Sequence, residues 1–206
     1  MALENPATPM LRKKTALIFD LDGTLTRAVH DFPDIRRQLD IPADTPILEY
    51  IDQQPRIRAG QIRKKLDLIE QAIANESRAS PGAKRLLSAL QRSNHRIGVL
   101  TRNSQKNALA TLDAAGLLVY FQAENVFSRD SAAPKPKPDG IHLILQQWQV
   151  KQQEALIIGD FRYDMEAGRA AGISTVYFDC QNENRWNQWA DIRISDLNEL
   201  IGMLDI

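Results

Sequence analysis

Six polar residues, Asp20, Asp22, Thr101, Lys135, Asp160 and Asp164, matter more for where they fall than for what they are. Carboxylates, a hydroxyl and an ammonium group are what phosphoryl transfer uses. It needs an oxygen nucleophile in line with the leaving oxygen, and it needs neutralisation of the negative charge that spreads over the transferring group. Asp20 can attack phosphorus and form an aspartyl-phosphate, dividing one hard step into two. A carboxyl that works as an acid at neutral pH needs a raised pKa, so the setting of Asp22 matters. Thr101 offers a hydroxyl and nearby backbone N–H groups to a phosphate where the next helix begins. Ordinary roles compete with each of these. An Asp-x-Asp pair occurs in solvated turns, and Asp160, Asp164 and Thr101 could serve as helix N-terminal partners.

The elements around these residues narrow the choice. The run 16–19 is apolar on both faces, as a central parallel strand is, and it ends at Asp20. The run 97–100 ends at Thr101, 155–158 ends at Gly159 and Asp160, and 174–178 ends at Asp179. A weaker strand is expected at Val126 and Phe127. Between them lie helical patterns. One is capped by Ser80 with Pro81 at its first position and buries Leu86, Leu87 and Leu90. The next is capped by Ser104, buries Ala108, Leu112 and Ala115, and ends at Gly116 in the left-handed conformation. A third carries Ile141, Ile144, Leu145 and Trp148 on one face. The last, behind a Ser195 cap, carries Leu197, Leu200, Ile201 and Leu204. Strands alternating with helices predict a doubly wound parallel α/β sheet covered on both sides. In such a sheet ligands bind at the carboxyl ends of the strands, where these polar residues fall.

One stretch breaks the alternation. Between Thr26 and Ser80 no strand is expected, but Ile62, Leu66, Ile69 and Ile73 form a long helical stripe. Shorter helices are expected around 35–39 and 47–51. The predicted organisation is therefore a core of residues 1–26 and 80–206 with a small helical insertion at 27–79.

With these residues in view, the sequence resembles the haloacid dehalogenase superfamily, and more narrowly its phosphoglycolate-phosphatase-like branch with a small helical cap. The resemblance rests on four motifs in order: Asp20-Leu21-Asp22-Gly23-Thr24-Leu25-Thr26, Thr101, Lys135-Pro136-Lys137-Pro138, and Gly159-Asp160 with Asp164 following. It covers roughly residues 15–26 and 80–180. By resemblance Asp20 is the nucleophile and Asp22 the general acid and base. Thr101, with Arg102 and Asn103 beside it, binds substrate phosphate. Lys135 is the phosphate-binding lysine, with Lys137 as the competing choice. The family implies a magnesium ion held by Asp20, the Asp22 backbone carbonyl and Asp160, with Asp164 as a further ligand or as a group orienting one. The insertion corresponds to the family's cap, and Arg56 and Arg58 are its first candidates to meet an anionic substrate. His30 has no assigned role.

The implied activity is magnesium-dependent hydrolysis of a small phosphorylated metabolite. Asp22 argues against dehalogenase and phosphonoacetaldehyde hydrolase chemistry, since those relatives lack an aspartate at the second position. A sugar phosphomutase, which keeps both aspartates, is the closest rival. A non-catalytic phospho-acceptor regulatory protein is a rival from another class. The bulk composition fits a small-molecule enzyme. Lys+Arg and Asp+Glu both total 26, which speaks against a dedicated nucleic-acid binder. Cys180 is the only cysteine, so no intrachain disulfide forms. The apolar run 16–19 is far too short for a signal peptide or a membrane span, and a cytoplasmic location is the expectation. Nothing in the sequence specifies an oligomeric state. Trp186 and Trp189 are expected to pack internally rather than to meet a partner.

Overall fold

A computed structural model of the protein describes residues 8–206, so the first seven residues, assigned above to the core, lie outside the described part. The chain runs α1 (Thr8–Leu11), β1 (Ala16–Phe19), α2 (Phe32–Gln38), α3 (Ile47–Asp52), α4 (Arg56–Glu76), α5 (Ala83–Arg92), β2 (Arg96–Leu100) and α6 (Gln105–Ala114). It continues β3 (Val126–Phe127), α7 (Asp139–Trp148), β4 (Ala155–Gly159), α8 (Arg162–Ala170), β5 (Ser174–Phe178), β6 (Ile192–Ile194) and α9 (Glu199–Leu204). The six strands form one sheet in the order β3-β2-β1-β4-β5-β6, every pair parallel. This is the doubly wound α/β architecture expected from the alternation.

Both faces of the sheet are buried, and the side-chain alternation of the strands divides the core in two. Leu17 and Phe19 of β1 and Leu156 and Ile158 of β4 pack with Leu86, Leu90, Leu112 and Leu200 from α5, α6 and α9. Ala16, Ile18, Ala155 and Ile157 face the other way, onto Ile141, Ile144 and Trp148 of α7 and Ala167 of α8. Strands read as continuous apolar runs because neither face sees water.

Strand order reverses between β1 and β4, the place where an open parallel sheet leaves a crevice beyond its carboxyl edge. The Asp20 amide donates to the Ile158 carbonyl at 2.8 Å, so the main chain past β1 is still fixed against β4.

Two helix starts differ from expectation. Ser80 does not cap α5. Its amide donates to the Leu25 carbonyl at 2.9 Å and its carbonyl receives the Ala83 amide, and the helix begins after Gly82, which sits at φ 81°. Ser80 is thereby used to hold the returning chain at the base of the insertion, next to the Thr26–Ala79 antiparallel bridge. Ser195 likewise does not cap the last helix. Its amide and hydroxyl donate to Glu199 Oε1 at 2.8 and 3.1 Å, and α9 starts at Glu199 itself. Leu197 is fully buried all the same. Ser104 does cap α6, and Gly116 follows that helix at φ 63°.

Helices α2, α3 and α4 lie between β1 and α5 in the chain and share a hydrophobic cluster of their own, built on Ile35, Leu39, Leu48, Ile51, Ile62 and Leu66. Helix α4 packs along α6 of the core. Arg129, in the loop after β3, donates to Asp67 and Glu70 of α4 at 2.7 and 2.8 Å, and Asn107 of α6 donates to the Asp67 carbonyl at 3.2 Å. Among the described residues no helix is long and apolar enough to cross a membrane.

Candidate active site

Asp20 follows β1 directly, Thr101 follows β2, and Asp160 follows β4, so three strand ends bring their polar residues to one edge of the sheet. Lys135 arrives from the loop before α7 and is 3% exposed. Its Nζ donates to Asp20 Oδ1 at 2.5 Å and to Asp164 Oδ1 at 2.6 Å. Burial lowers the lysine's pKa, but the Asp164 and Asp20 carboxylates outweigh burial and hold the ammonium charged. Lys137 is exposed, and of the two lysines it is Lys135 that reaches the aspartates.

Asp20, Asp160 and Asp164 each present an oxygen within 4.8 Å of the others. Burial is the first cause raising all three pKa values. The Asp22 charge adds to it at Asp20, and neighbouring cluster carboxylates add to it at Asp160, which lies well above the usual carboxylate range, and at Asp164, raised to about 6. Asp164 Oδ2 also accepts the Phe161 amide at 3.1 Å, so this residue orders the start of α8 as well as facing Lys135. Thr24 donates to Asp160 Oδ1 at 3.3 Å. Three carboxylates, Asp164 buried and Asp20 and Asp160 half-buried, against one ammonium leave a local excess of negative charge and of oxygen donors. A hard divalent cation such as magnesium fits that donor set. Two glycines make the close packing possible. A Cβ on Gly23, at φ 90°, would lie 2.2 Å from Asp160 Oδ2, and one on Gly159 would lie 2.2 Å from the Asp164 carboxyl carbon.

Asp22 stands apart from that cluster. Asn103 Nδ2 donates to its Oδ2 at 2.6 Å, and His30 Nδ1 lies 3.9 Å from its Oδ1. Burial, reinforced by the charge of Glu70, raises the Asp22 pKa to about 7. Such a group exchanges protons near neutrality. Thr101 is buried, and its Oγ1 receives the Asn103 amide at 3.1 Å, shaping the loop that aims Asn103 at Asp22.

These residues line a cleft of about 400 Å³ whose opposite wall comes from the insertion. Arg102, left without a fixed role by the sequence, spans the two walls. It donates to both oxygens of Glu49 of α3 at 3.0 and 2.9 Å and to the Lys135 carbonyl, and its guanidinium lies 4.7 Å from the Tyr163 ring centroid. Arg56 and Arg58 are not among the cleft-lining residues; Arg58 donates instead to the Tyr50 hydroxyl. The arginines on the cleft are Arg36, Arg102 and Arg129. His30, Glu70 and Tyr163 line it too, none of them singled out for it by the sequence. Trp186 packs edge-on against Phe161, the residue after Asp160, with centroids 5.3 Å apart.

The sequence pattern of the haloacid dehalogenase-like hydrolase family matches residues 14–172. An uncharacterized hydrolase of Saccharomyces cerevisiae is 24% identical, across 94% of this chain and 92% of its own length. The phosphoglycolate phosphatase of Nitrosospira multiformis is 29% identical, across 76% of this chain and 79% of its own. The crystal structure of a hydrolase from Pseudomonas syringae superposes with a TM-score of 0.78 at 23% identity, covering 93% of this chain and 98% of that one. With three strand ends and the Lys135 loop bringing the four motifs to one edge of the sheet, and most of the chain matched, the protein belongs to the haloacid dehalogenase-like hydrolases.

Proposed function

We propose that the chain is a magnesium-dependent phosphatase that hydrolyses the phosphate monoester of a small metabolite through a phosphorylated Asp20. The observation that carries this reading is the pairing of Asp20 with a buried, charged Lys135 beside a second aspartate, Asp22, whose pKa is near neutrality. The phosphoglycolate phosphatases among the relatives supply the ester chemistry.

The steps follow from the positions. An Asp20 carboxylate oxygen attacks phosphorus, and the bond from phosphorus to the leaving oxygen breaks as Asp22 gives that oxygen its proton. Asp22, now a carboxylate, takes a proton from water. The water oxygen attacks phosphorus, inorganic phosphate leaves and Asp20 is restored. Asn103 holds Asp22 by its Oδ2 throughout, leaving Oδ1 to carry the proton. Lys135 and the Thr101 loop meet the spreading negative charge. Asp20, Asp160 and the Asp22 carbonyl, with Asp164 beside them, would hold a magnesium ion, which when bound would supply further positive charge to the phosphate. The helical insertion serves as a cap that excludes water and selects the leaving group.

The direct test is phosphate release from a panel of small phosphate esters, with magnesium and with excess chelator. Magnesium-dependent release from at least one ester is expected. If the folded protein accepts a phosphoryl group from acetyl phosphate yet hydrolyses no ester, it is not a phosphatase.

Asp22 gives a second, sharper prediction. It must be protonated for the first step, so kcat/KM for an alkyl phosphate should fall as pH rises above about 7. In Asp22→Asn, 4-nitrophenyl phosphate, whose leaving group needs no acid, should still give a burst of about one equivalent of nitrophenolate before turnover stalls. An alkyl ester should give none. An Asp22→Asn protein with undiminished steady turnover of alkyl esters would remove Asp22 from the mechanism.

A further inference from the structure

We infer that the ester accepted by this cleft has a leaving group with an apolar body and a carboxylate, and that Arg36 of α2 receives that carboxylate. The inference deepens the phosphatase reading and rests on it.

The reaction centre is a set of charges, yet much of the wall facing it is apolar. Phe32, Ile35, Pro46, Ile47, Leu48 and Leu66 from the insertion line the cleft. Phe32 is 53% exposed and Phe161, at the other lip, 44%. Phosphate has no use for such a surface, and large apolar groups left in water at a site mark what binds there. A cleft of about 400 Å³ has room for a ring-sized body besides the phosphate.

Among the three arginines on the cleft only Arg36 is uncommitted. Arg102 is held by Glu49, and Arg129 by Asp67 and Glu70. Arg37, next in sequence, pairs with Asp34 on its own helix. Arg36 has no ion-pair partner among the described residues, and its Nε is buried without a hydrogen-bond acceptor. A buried donor left without a partner costs about 1–3 kcal/mol, more for a charged group, and a ligand acceptor removes that cost. Glu49 is paired with Arg102 and Glu70 with Arg129, and Asp44, on the rim, is exposed and unpaired with Arg36. Among the described residues Arg36 is thus the unpaired cation of the insertion wall, and a single guanidinium suits one carboxylate better than a second phosphate dianion. The guanidinium fork matches carboxylate geometry.

The test compares phenyl phosphate with 4-carboxyphenyl phosphate, which share a ring and differ by the carboxylate. The native enzyme should prefer the carboxylated ester by about tenfold or more in kcat/KM, chiefly through KM. In Arg36→Met that preference should collapse to within about twofold, and Arg36→Lys should restore part of it. Equal use of the two esters by the native enzyme, or an intact preference in Arg36→Met, overturns the inference. Hydrolysis of neither ester would count against the phosphatase reading instead. The matched phosphonates, phenylphosphonate and 4-carboxyphenylphosphonate, then decide the role of Arg36 by calorimetry. Tighter binding of the carboxylated one, lost in Arg36→Met, upholds it, and equal binding rejects it.

Discussion

An Asp20→Asn protein is expected to fold as the native chain does and to release phosphate more slowly by a factor on the order of 10⁴ or more. The amide occupies the volume of the carboxylate but has no oxygen able to form a stable bond to phosphorus, so the covalent step is lost rather than slowed. Removing a stabilising donor from a reaction centre costs about 10²–10³ in rate, so the size of the loss separates a nucleophile from a group that only assists. Folding should survive because Lys135 keeps Asp164 at 2.6 Å and is not left as an unpaired buried cation. The substitution also takes away one of three closely spaced carboxylates, so the metal-free variant should melt no lower than the native protein. The covalent test uses acetyl phosphate. The native chain should take up a phosphoryl group that hydroxylamine releases, and Asp20→Asn should take up none. Full magnesium-dependent turnover by the variant, or labelling that persists in it, would move the nucleophile to another residue, with Asp22 the first to examine.

How far the site could be read in advance follows from where each residue sits. Asp20, Thr101 and Asp160 were visible because an apolar strand that stops at a polar residue announces its own carboxyl end, and parallel pairing then aligns those ends. β6 was not visible. Ile192-Arg193-Ile194 is only three residues at the sheet edge, and Arg193 turns outward to pair with Asp179 at 2.8 Å, so no apolar run exists to be seen. Ser80 and Ser195 do not cap their helices because a serine before an apolar stripe starts a helix only when neither its main chain nor its hydroxyl is engaged elsewhere. Here one main chain is needed at the base of the insertion and the other serine is taken by Glu199.

The insertion shows the same limit at the site. Its apolar period located α4 correctly but says nothing about which of many charged neighbours faces the cleft. Arg36 and Arg37 are adjacent, one on the cleft and one paired with Asp34, and only tertiary packing distinguishes them. Arg56 and Arg58 looked favourable by their place before a long helix, a criterion blind to direction. Arg129 was within reach of the strand-end rule, since it stands two residues past β3, but a two-residue strand is too weak a signal to apply it with.

Lys135→Met is expected to have the opposite character to Asp20→Asn, damaging the fold as well as the reaction. The native ammonium is buried between Asp20 and Asp164, and removing it leaves those carboxylates and Asp160 with no positive partner among the described residues. Breaking a buried pair in this way costs about 3–5 kcal/mol, and turnover should fall by roughly 10²–10³. The dependence on pH gives the cause away. Burial already raises the aspartate pKa values, with Asp164 at about 6, and Lys135 is among the groups holding them down. Without it they rise further. A carboxyl whose folded pKa lies above its unfolded value contributes stability that is complete below the unfolded pKa and is lost as pH rises through the folded one. The deficit of the variant should therefore be small near pH 4 and grow as pH rises through 6 and beyond. Urea melts of both proteins across that range measure it. Magnesium should act in the same sense, binding the more negative cluster more tightly and recovering part of the lost stability while leaving turnover low. A deficit that is the same at every pH, with magnesium affinity unchanged, would mean that Lys135 holds the fold by packing alone. Its charge would then have no part in balancing the aspartates.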